Sequence, residues 1–298
     1  MLNINTNYAA SFASNAAKSS SQGLNSAMEK LSTGMRINYA KDDAAGQAIS
    51  TRLSAEVQGL QIASRNAADA QSMIDTAEGA LQETHNVLLR MRELAVQSAN
   101  GTLTDADREH TDAEFDQLVA EVTRIANNTT WAGKKLLDGS VDGAVASGSD
   151  PARPGLSFQI GEGANQTITV EIASMKATAL GADTGIPPLA DANTPADGAS
   201  LSSAADAQLA IQSIDNAIDS VSTSRGKLGA VSNRLSSTMS NLDQIAVNLS
   251  ASQGRIQDAD FAQETSNLAK NQILQQAATA MIAQANASKS SVLTLVRG

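Results

Sequence analysis

The chain has 298 residues, a formal net charge of -10, no cysteine and only 2% aromatic residues. The acidic balance argues against a nucleic-acid or anionic-lipid surface, because both need clustered Lys and Arg. The missing cysteines exclude disulfides and thiolate metal sites, and no run of about 18 apolar residues predicts a membrane span.

The first predicted element is a helix that carries almost no charge. Residues 1–28 include a single charged side chain, Lys18. Apolar residues then recur in steps of four and three, at Leu24, Met28 and Leu31. This is the a/d spacing of a coiled coil. Residues 1–8 have neither the basic nor the apolar region of a Sec-type signal peptide. Taken alone, this last feature indicates a cytoplasmic protein.

Two long heptad repeats are the strongest internal signal. The first lies in a predicted helix over about 44–99, which Asp42 and Asp43 are placed to cap, and it consists of Leu53, Leu60, Ala67, Ile74, Leu81, Leu88 and Ala95. The second starts in a predicted helix over about 203–253, with Ser203 and Asp206 as its cap, and it consists of Ile214, Val221, Leu228, Leu235, Leu242, Leu249 and Ile256. Seven consecutive matches in each repeat predict a pair of coiled-coil-like helices.

A third helix and a short β region separate the two repeats. Thr104 and Asp107 form a capping signature for a helix over 105–127, whose predicted buried stripe is Phe115, Leu118, Val122 and Ile125. Alternating apolar and polar residues then predict a β-hairpin over about 156–173 with a five-residue turn. The following residues, 174–204, are rich in Gly, Pro, Ser and Ala and predict a short loop region.

The C-terminal segment repeats the character of the N-terminal one. Residues 271–298 carry only Lys289 and Arg297 as charged side chains. Their a/d stripe consists of Leu274, Ala278, Met281, Ala285, Ser288, Val292 and Leu295. The sequence therefore predicts a mainly α-helical chain of long coiled-coil-like helices with a small β-hairpin region, whose two ends pair into one discontinuous terminal helical domain and need further copies of the chain as partners.

Few residues indicate catalysis or ligand binding. His85 and His110 lie far apart on predicted helices, and no cluster of His, Asp and Glu has metal-ligand spacing. The glycines at Gly161 and Gly163 fall in a hairpin turn, not between a strand and a helix, so they do not predict a phosphate site. Trp131 is interpreted as a packing residue. We expect no catalytic, cofactor-binding or metal-binding residues, and no enzyme.

Several blocks of sequence closely resemble bacterial flagellin. They cover most of residues 3–175 and 205–297 and include Leu31-Ser-Thr-Gly-Met-Arg-Ile-Asn38, Ala40–Ile49, Gly59–Ala67, Arg92–Asn100, Asn128–Gly139, Arg255–Phe261 and Val292–Arg297. The resemblance implies a structural subunit that polymerises into the flagellar filament for motility. It further implies that residues 1–40 and 258–298 form the inner tube of the filament and that 41–257 form the outer tube. The large outer domains of many flagellins are almost absent here.

The resemblance also implies partners and a location. Flagellins leave the cell unfolded through the flagellar export channel, so the cytoplasmic interpretation gives way to a secreted, extracellular filament protein. Expected partners are copies of itself, an export chaperone, and the cap and junction proteins, with neither nucleic acid nor membrane. The segment Leu89–Gln97 resembles the flagellin segment that the host Toll-like receptor recognises and that also makes filament contacts. The matching residues are Arg90, Leu94 and Glu114.

Other functions remain open at this stage. The nearest alternative is the hook–filament junction protein, whose ends are similar to those of flagellin. A flagellin-like surface adhesin is a second alternative, which the short, aromatic-poor region 174–204 supports weakly. An enzyme is the least favoured class.

Overall fold

The computed structural model of the chain describes residues 6–140, 155–181, 188–189 and 199–297, and the side chains of 292–297 lie outside the described part. Within it the chain forms five helices and two pairs of short antiparallel strands. This confirms the predicted mainly α-helical fold with a small β region. The elements are α1 (Tyr8–Thr33), α2 (Ala44–Ser98), α3 (Asp105–Asn128), β1 (Thr130–Trp131), β2 (Lys134–Lys135), β3 (Leu156–Gln159), β4 (Thr167–Val170), α4 (Ala204–Gln257) and α5 (Phe261–Arg297).

The chain divides into two compact units. The first, called the terminal unit below, combines Met1–Val57 with Val247–Gly298, and the second, the central unit, is Gln58–Ala246. Helices α1 and α5 belong wholly to the terminal unit, whereas α2 and α4 contribute to both. The tube boundaries at 40 and 258 rest on the resemblance to flagellin and stay a prediction.

Helices α1 and α5 pack through small side chains in the terminal unit. Ala13 and Ala27 of α1 and Ala278 of α5 are buried. At Gly23 the two helices approach so closely that a Cβ there would lie 2.8 Å from the amide nitrogen of Asn271. Small residues permit this distance, and they leave the larger apolar side chains of both helices to point elsewhere.

The helix ends of the terminal unit are capped by their own sequence. Helix α1 ends at Gly34, whose φ of 72° favours glycine and whose N–H donates to Lys30 O. At the start of α2, Gly46 N donates to Asp43 Oδ1 at 2.9 Å. At the start of α5, Ala262 N donates to Asp260 Oδ1 at 2.9 Å. The predicted capping of α2 is confirmed for Asp43 but was wrong for Asp42, whose carboxylate accepts from Asn38 N and Tyr39 N in the connector before the helix. Asp260 caps α5 as Asp43 caps α2.

The two heptad repeats form the core of the central unit over most of their length. The residues with no more than 2% exposure are Ala67, Ile74, Leu81, Leu88 and Ala95 of α2 and Ile214, Val221, Leu228 and Leu235 of α4. Burial then decreases toward the terminal unit, where Leu53, Leu249 and Ile256 are only half-buried. The periodicity predicts both helices, but it does not predict the positions along each helix at which packing against partner side chains stops.

Helix α3 covers this core with a face slightly different from the predicted one. Phe115 and Val122 are fully buried, as expected, but Val119 and Ala126 are buried in place of Leu118 and Ile125, which are half-buried. The stripe is therefore corrected by about one residue, because positions separated by three and by four are both neighbours on a helix. The capping box between Thr104 and Asp107 is confirmed.

Two hairpins complete the central unit. In the predicted one, β3 pairs with β4 in the register Leu156↔Val170 and Phe158↔Ile168, and Asn66 Nδ2 of α2 donates to the backbone of Gln159 at 3.0 Å. The second hairpin, β1–β2, turns through Ala132 and Gly133, which both have positive φ. Two such residues are typical of a type I′ turn. Because alanine is uncommon in this conformation, the sequence did not predict the turn.

Candidate assembly and recognition surfaces

Large apolar side chains are exposed along the α1–α5 pair. The residues that are at least 59% exposed are Tyr8, Phe12, Phe261, Ile273 and Met281. Two of the four phenylalanines in the chain are among them. Exposed apolar side chains gathered in this way mark a surface that another protein covers. The charge-poor ends of the chain place little electrostatic repulsion on such a contact.

The predicted assembly residues are only partly on this surface. Met28, Leu274 and Met281 are exposed, whereas Leu24 and Leu31 are half-buried. Leu274 and Met281 line an open groove between the two helices together with Phe12. The side chains of the two remaining predicted residues, Val292 and Leu295, lie outside the described residues.

Sequence analysis missed Phe12 and Ile273, which are 75% and 66% exposed. Both lie outside the a/d stripes, and the stripes were expected to carry the contacts. In the folded terminal unit the two helices meet through alanine and serine side chains. The larger apolar side chains therefore stay exposed to solvent. Only 2% of the residues are aromatic, so an aromatic residue in a charge-poor terminal helix is the sequence signal that could have identified Phe12.

One ion pair joins α1 and α5. Lys30 Nζ lies 3.2 Å from Glu264 Oε1, and the side chain of Glu264 is 11% exposed. Asn267 Nδ2 donates to the second oxygen of the same carboxylate at 2.6 Å. A largely buried carboxylate needs such partners, because desolvation disfavours its charged form.

Arg90 lies at the centre of a polar cluster between α2 and α3. Its Nη2 and Nε donate to Glu114 Oε1 at 2.8 and 3.1 Å, and Nη1 donates to Glu93 at 3.0 Å. The hydrogen bond with Glu114, followed by that with Glu93, raises the pKa of the Arg90 guanidinium. All three side chains are about half exposed or more. The structure therefore brings Arg90 and Glu114 together on the surface.

Leu94 differs from Arg90 and Glu114 in its exposure. Its side chain is 2% exposed and belongs to the core of the central unit. Arg90 and Leu94 are four residues apart, but Leu94 is packed into the core to which α2, α3 and α4 all contribute. The exposed apolar neighbours of Arg90 are instead Leu89 and Val96, which line a shallow depression with Arg92 and Glu93.

The described residues offer little support for metal or ligand chemistry. His110 is exposed and His85 is half-buried, and no group of three His, Cys, Asp or Glu side chains in this part of the chain is arranged to hold a metal ion. None of the described helices is long and apolar enough to cross a membrane. Gly161 and Gly163 lie in the β3–β4 turn, where Gln159 and Gln166 hold their backbone groups.

The sequence matches known proteins over almost its whole length. Residues 4–142 match the bacterial flagellin N-terminal helical region, and residues 211–296 match the bacterial flagellin C-terminal helical region. The flagellin of Bacillus subtilis is 44% identical over 310 residues, covering 99% of this chain and 100% of that protein. The flagellar filament 33 kDa core protein of Treponema phagedenis is 40% identical over 295 residues, covering 99% of each.

Two solved structures are similar to the chain. A Bacillus cereus flagellin structure is 30% identical and covers 63% of this chain and 94% of that one, with a TM-score of 0.46. A putative flagellar hook-associated protein from Vibrio parahaemolyticus has a TM-score of 0.56 at 16% identity, covering 73% of this chain and all of that one. At that identity the second likeness concerns the fold alone.

Proposed function

We propose that this chain, which belongs to the bacterial flagellin family and is a structural subunit of the flagellar filament, polymerises through the outer face of its α1–α5 pair. The observation that carries the proposal is the exposure of Phe12 and Ile273, with their neighbours, on two helices that already use their small residues to pack against each other. Burying about 100 Å² of such surface stabilises a contact by about 2–3 kcal/mol.

The same surface explains how a filament would form from one kind of subunit. The residues that pair α1 with α5 differ from those left exposed, so a neighbour meets the pair on a different face. A contact between unlike faces generates an open helix of subunits when the rotation from one subunit to the next does not close a ring. Isolated helices with an uncovered apolar face are marginally stable, so α1 and α5 gain their full stability when a subunit joins the filament.

The positions of the chain segments within the filament follow from this proposal. Residues 1–40 and 258–298 form the inner tube of the filament, and residues 41–257 form the outer tube. Low charge at both ends suits the inner position, where many copies crowd around one axis without strong repulsion. The heptad core of the central unit suits the outer position, because it is complete within one subunit.

Export and partner binding belong to the same proposal. The subunit leaves the cell through the flagellar export channel and becomes part of an extracellular filament. A chain without cysteine crosses into an oxidising environment without forming disulfides. An export chaperone covers the exposed apolar residues before assembly, and the cap and junction proteins contact the subunit at the filament ends.

The Arg90–Glu114 pair is proposed as the contact for a host Toll-like receptor. Both side chains are exposed and already oriented by their mutual hydrogen bonds. Leu94, the third matching residue, is buried in the core of the central unit and is not part of this exposed contact. The subunit has no catalytic role in this proposal.

Among the alternatives, the relatives favour the filament subunit. The curated proteins with 40–44% identity over nearly the whole chain are called flagellin or flagellar filament core protein. The hook–filament junction protein and the adhesin have no comparable support.

Seeded polymerisation tests the proposed contact. Purified full-length protein is mixed with short filament fragments and followed by electron microscopy, beside the variants Ile273→Asp and Phe12→Asp and a chain truncated before residue 258. Long filaments from the unaltered chain and none from the truncation support assembly through the terminal helices. Phe12→Leu and Ile273→Leu, which keep an apolar side chain, serve as matched controls. Normal growth of both aspartate variants would contradict the proposed face.

A further inference from the structure

The two connectors of the terminal unit, residues 34–43 after α1 and 258–260 after α4, are joined backbone to backbone. Met35 and Asp258 form an antiparallel bridge. Arg36 N donates to Gln257 O at 2.6 Å, and Ala259 N donates to Gly34 O at 2.9 Å. The chain therefore leaves α1 and enters α5 at one shared point.

Gln257 extends this joint with its side chain. Ser50 Oγ of α2 donates to Gln257 Oε1 at 2.7 Å. Gln257 Nε2 donates to the sulfur of Met35 at 2.9 Å. Gln257 is thus the last residue of α4 and at the same time contacts the first connector and the second turn of α2.

Burial makes the bond to Ser50 the stronger constraint. Ser50 is 2% exposed, so water cannot replace Gln257 as the partner of its hydroxyl, and a buried polar group without a partner is costly. Arg36 also crosses the joint, donating from Nη2 to Ile256 O at 2.6 Å, but this side chain is exposed. Water can substitute for an exposed donor, so the bond of Arg36 constrains the joint less.

We propose that Gln257 is a positioning residue that fixes the direction in which the α1–α5 pair leaves the start of α2 and the end of α4. The inference rests on the proposed assembly through α1 and α5. The backbone bridge holds the two connectors together, and the Ser50–Gln257–Met35 contacts fix that bridge against α2. Because a filament repeats the same contact at every subunit, a small rotation at the joint accumulates as an altered helical twist.

The side-chain bonds can be removed without touching the backbone bridge. Gln257→Leu keeps a similar volume and loses the bonds to Ser50 and Met35, together with the longer one that Gln257 Oε1 accepts from Gln253 Nε2 at 3.4 Å, whereas Ser50→Ala loses only the bond from Ser50. Gln257→Glu keeps an oxygen that accepts from Ser50. The matched control is Ser252→Ala on α4, since the Ser252 hydroxyl donates to Asn248 O within its own helix.

The measurement is the subunit twist of seeded filaments by electron microscopy, together with the subunit concentration needed for growth. We expect Gln257→Leu and Ser50→Ala to shift the twist in the same direction, and to raise that concentration by about fivefold, the effect of one net hydrogen bond. The double variant should shift the twist no further than Gln257→Leu alone. Ser252→Ala should resemble the unaltered chain. Gln257→Glu, which keeps the acceptor for Ser50 but loses the donor to Met35, should shift the twist less than Gln257→Leu does.

The outcomes separate this inference from the proposed function. If the unaltered chain does not extend seeds, the proposed assembly is overturned and the role of Gln257 with it. If the unaltered chain grows and Ser50→Ala grows with the same twist and at the same concentration, the inference alone is overturned. Ser50→Ala removes a single hydroxyl group, so it keeps the test decisive even where Gln257→Leu does not fold.

Discussion

Lys30 Nζ lies 3.2 Å from Glu264 Oε1 and joins the last turn of α1 to the first turn of α5. Each charge also complements the dipole of its own helix, since a cation is favoured at a helix C-terminus and an anion at an N-terminus. Elsewhere the two helices meet mainly through small side chains such as Ala13, Ala27 and Ala278, so this ion pair is a specific electrostatic contact between them. It therefore determines how firmly the chain ends are held together.

Removing the Lys30 charge should weaken the terminal unit. Lys30→Gln leaves the largely buried Glu264 carboxylate without its cation, and we expect a loss of about 1–3 kcal/mol, between the values for exposed and buried pairs. The measurement is the temperature at which filaments dissociate. Lys18→Gln is the matched control, because Lys18 is exposed on the same helix. Equal dissociation temperatures for the two variants would show that the pair contributes nothing.

Arg108 should be important for the stability of the central unit. Its side chain is 8% exposed, and it donates to Ser98 O at 2.9 Å and to Asn100 O at 3.1 Å, just where α2 ends. Arg108→Met leaves these carbonyl groups without their partner and should lower the free energy of unfolding by about 2–3 kcal/mol. Urea unfolding of the full chain measures this change.

The control for Arg108 is Arg124 in the same helix. Arg124 pairs with Glu121 one turn away, and its side chain is 59% exposed. An exposed pair of this kind contributes about 0–1 kcal/mol, so Arg124→Met should have little effect. If both variants lose the same stability, burial of Arg108 does not matter.

Regular periodicity and local capping are the features that sequence analysis predicted well. Leu228 and Leu235 are buried where the heptad repeat placed them, because a fixed seven-residue interval keeps one side of a helix toward its partner. The box between Thr104 and Asp107 also formed as predicted, since capping depends only on residues three apart. Both signals are local and repeat along the chain.

The exposure of single residues was harder to predict. Arg90 and Leu94 are four residues apart, yet one is half exposed and the other is in the core. Spacing places residues on neighbouring positions of a helix, but the boundary of the covered face depends on where α3 lies. Phe12 was missed for a related reason: its neighbour Ala13, and not Phe12, is the residue buried in α1, and the expected stripe of larger apolar residues did not indicate this.

The β1–β2 turn offers a stabilising substitution. Ala132 has φ 48°, a conformation that favours Gly or Asn over other residues. Ala132→Asn should raise the free energy of unfolding by about 0.5–1 kcal/mol, measured by urea unfolding. Ala164→Asn is the control, since Ala164 is exposed in the other hairpin and is not among the residues with positive φ. A gain at residue 164 but not at 132 would contradict the role of the turn conformation.

The cap of α3 should be sensitive to acid. Thr104 Oγ1 and N donate to Asp107 Oδ2 at 2.6 and 3.1 Å, and these bonds, the side-chain one first, lower the pKa of Asp107. A carboxyl whose pKa is lowered by folding stabilises the fold above its ordinary pKa of about 3.9. That stabilisation is lost as the pH falls through the pKa of the folded state, because the unfolded chain binds the proton more readily.

Asp107→Asn should therefore matter at neutral pH and not in strong acid. We expect faster amide exchange in the first turn of α3 for this variant than for the unaltered chain at pH 7, and a difference that shrinks toward pH 2, where the carboxyl is protonated in both states. Asp69→Asn, at an exposed position in α2, should leave the amide exchange rates in the first turn of α3 unchanged at both pH values. A difference that persisted unchanged at pH 2 would mean that the Asp107 charge is not what holds the cap, and that the substitution acts through side-chain shape instead.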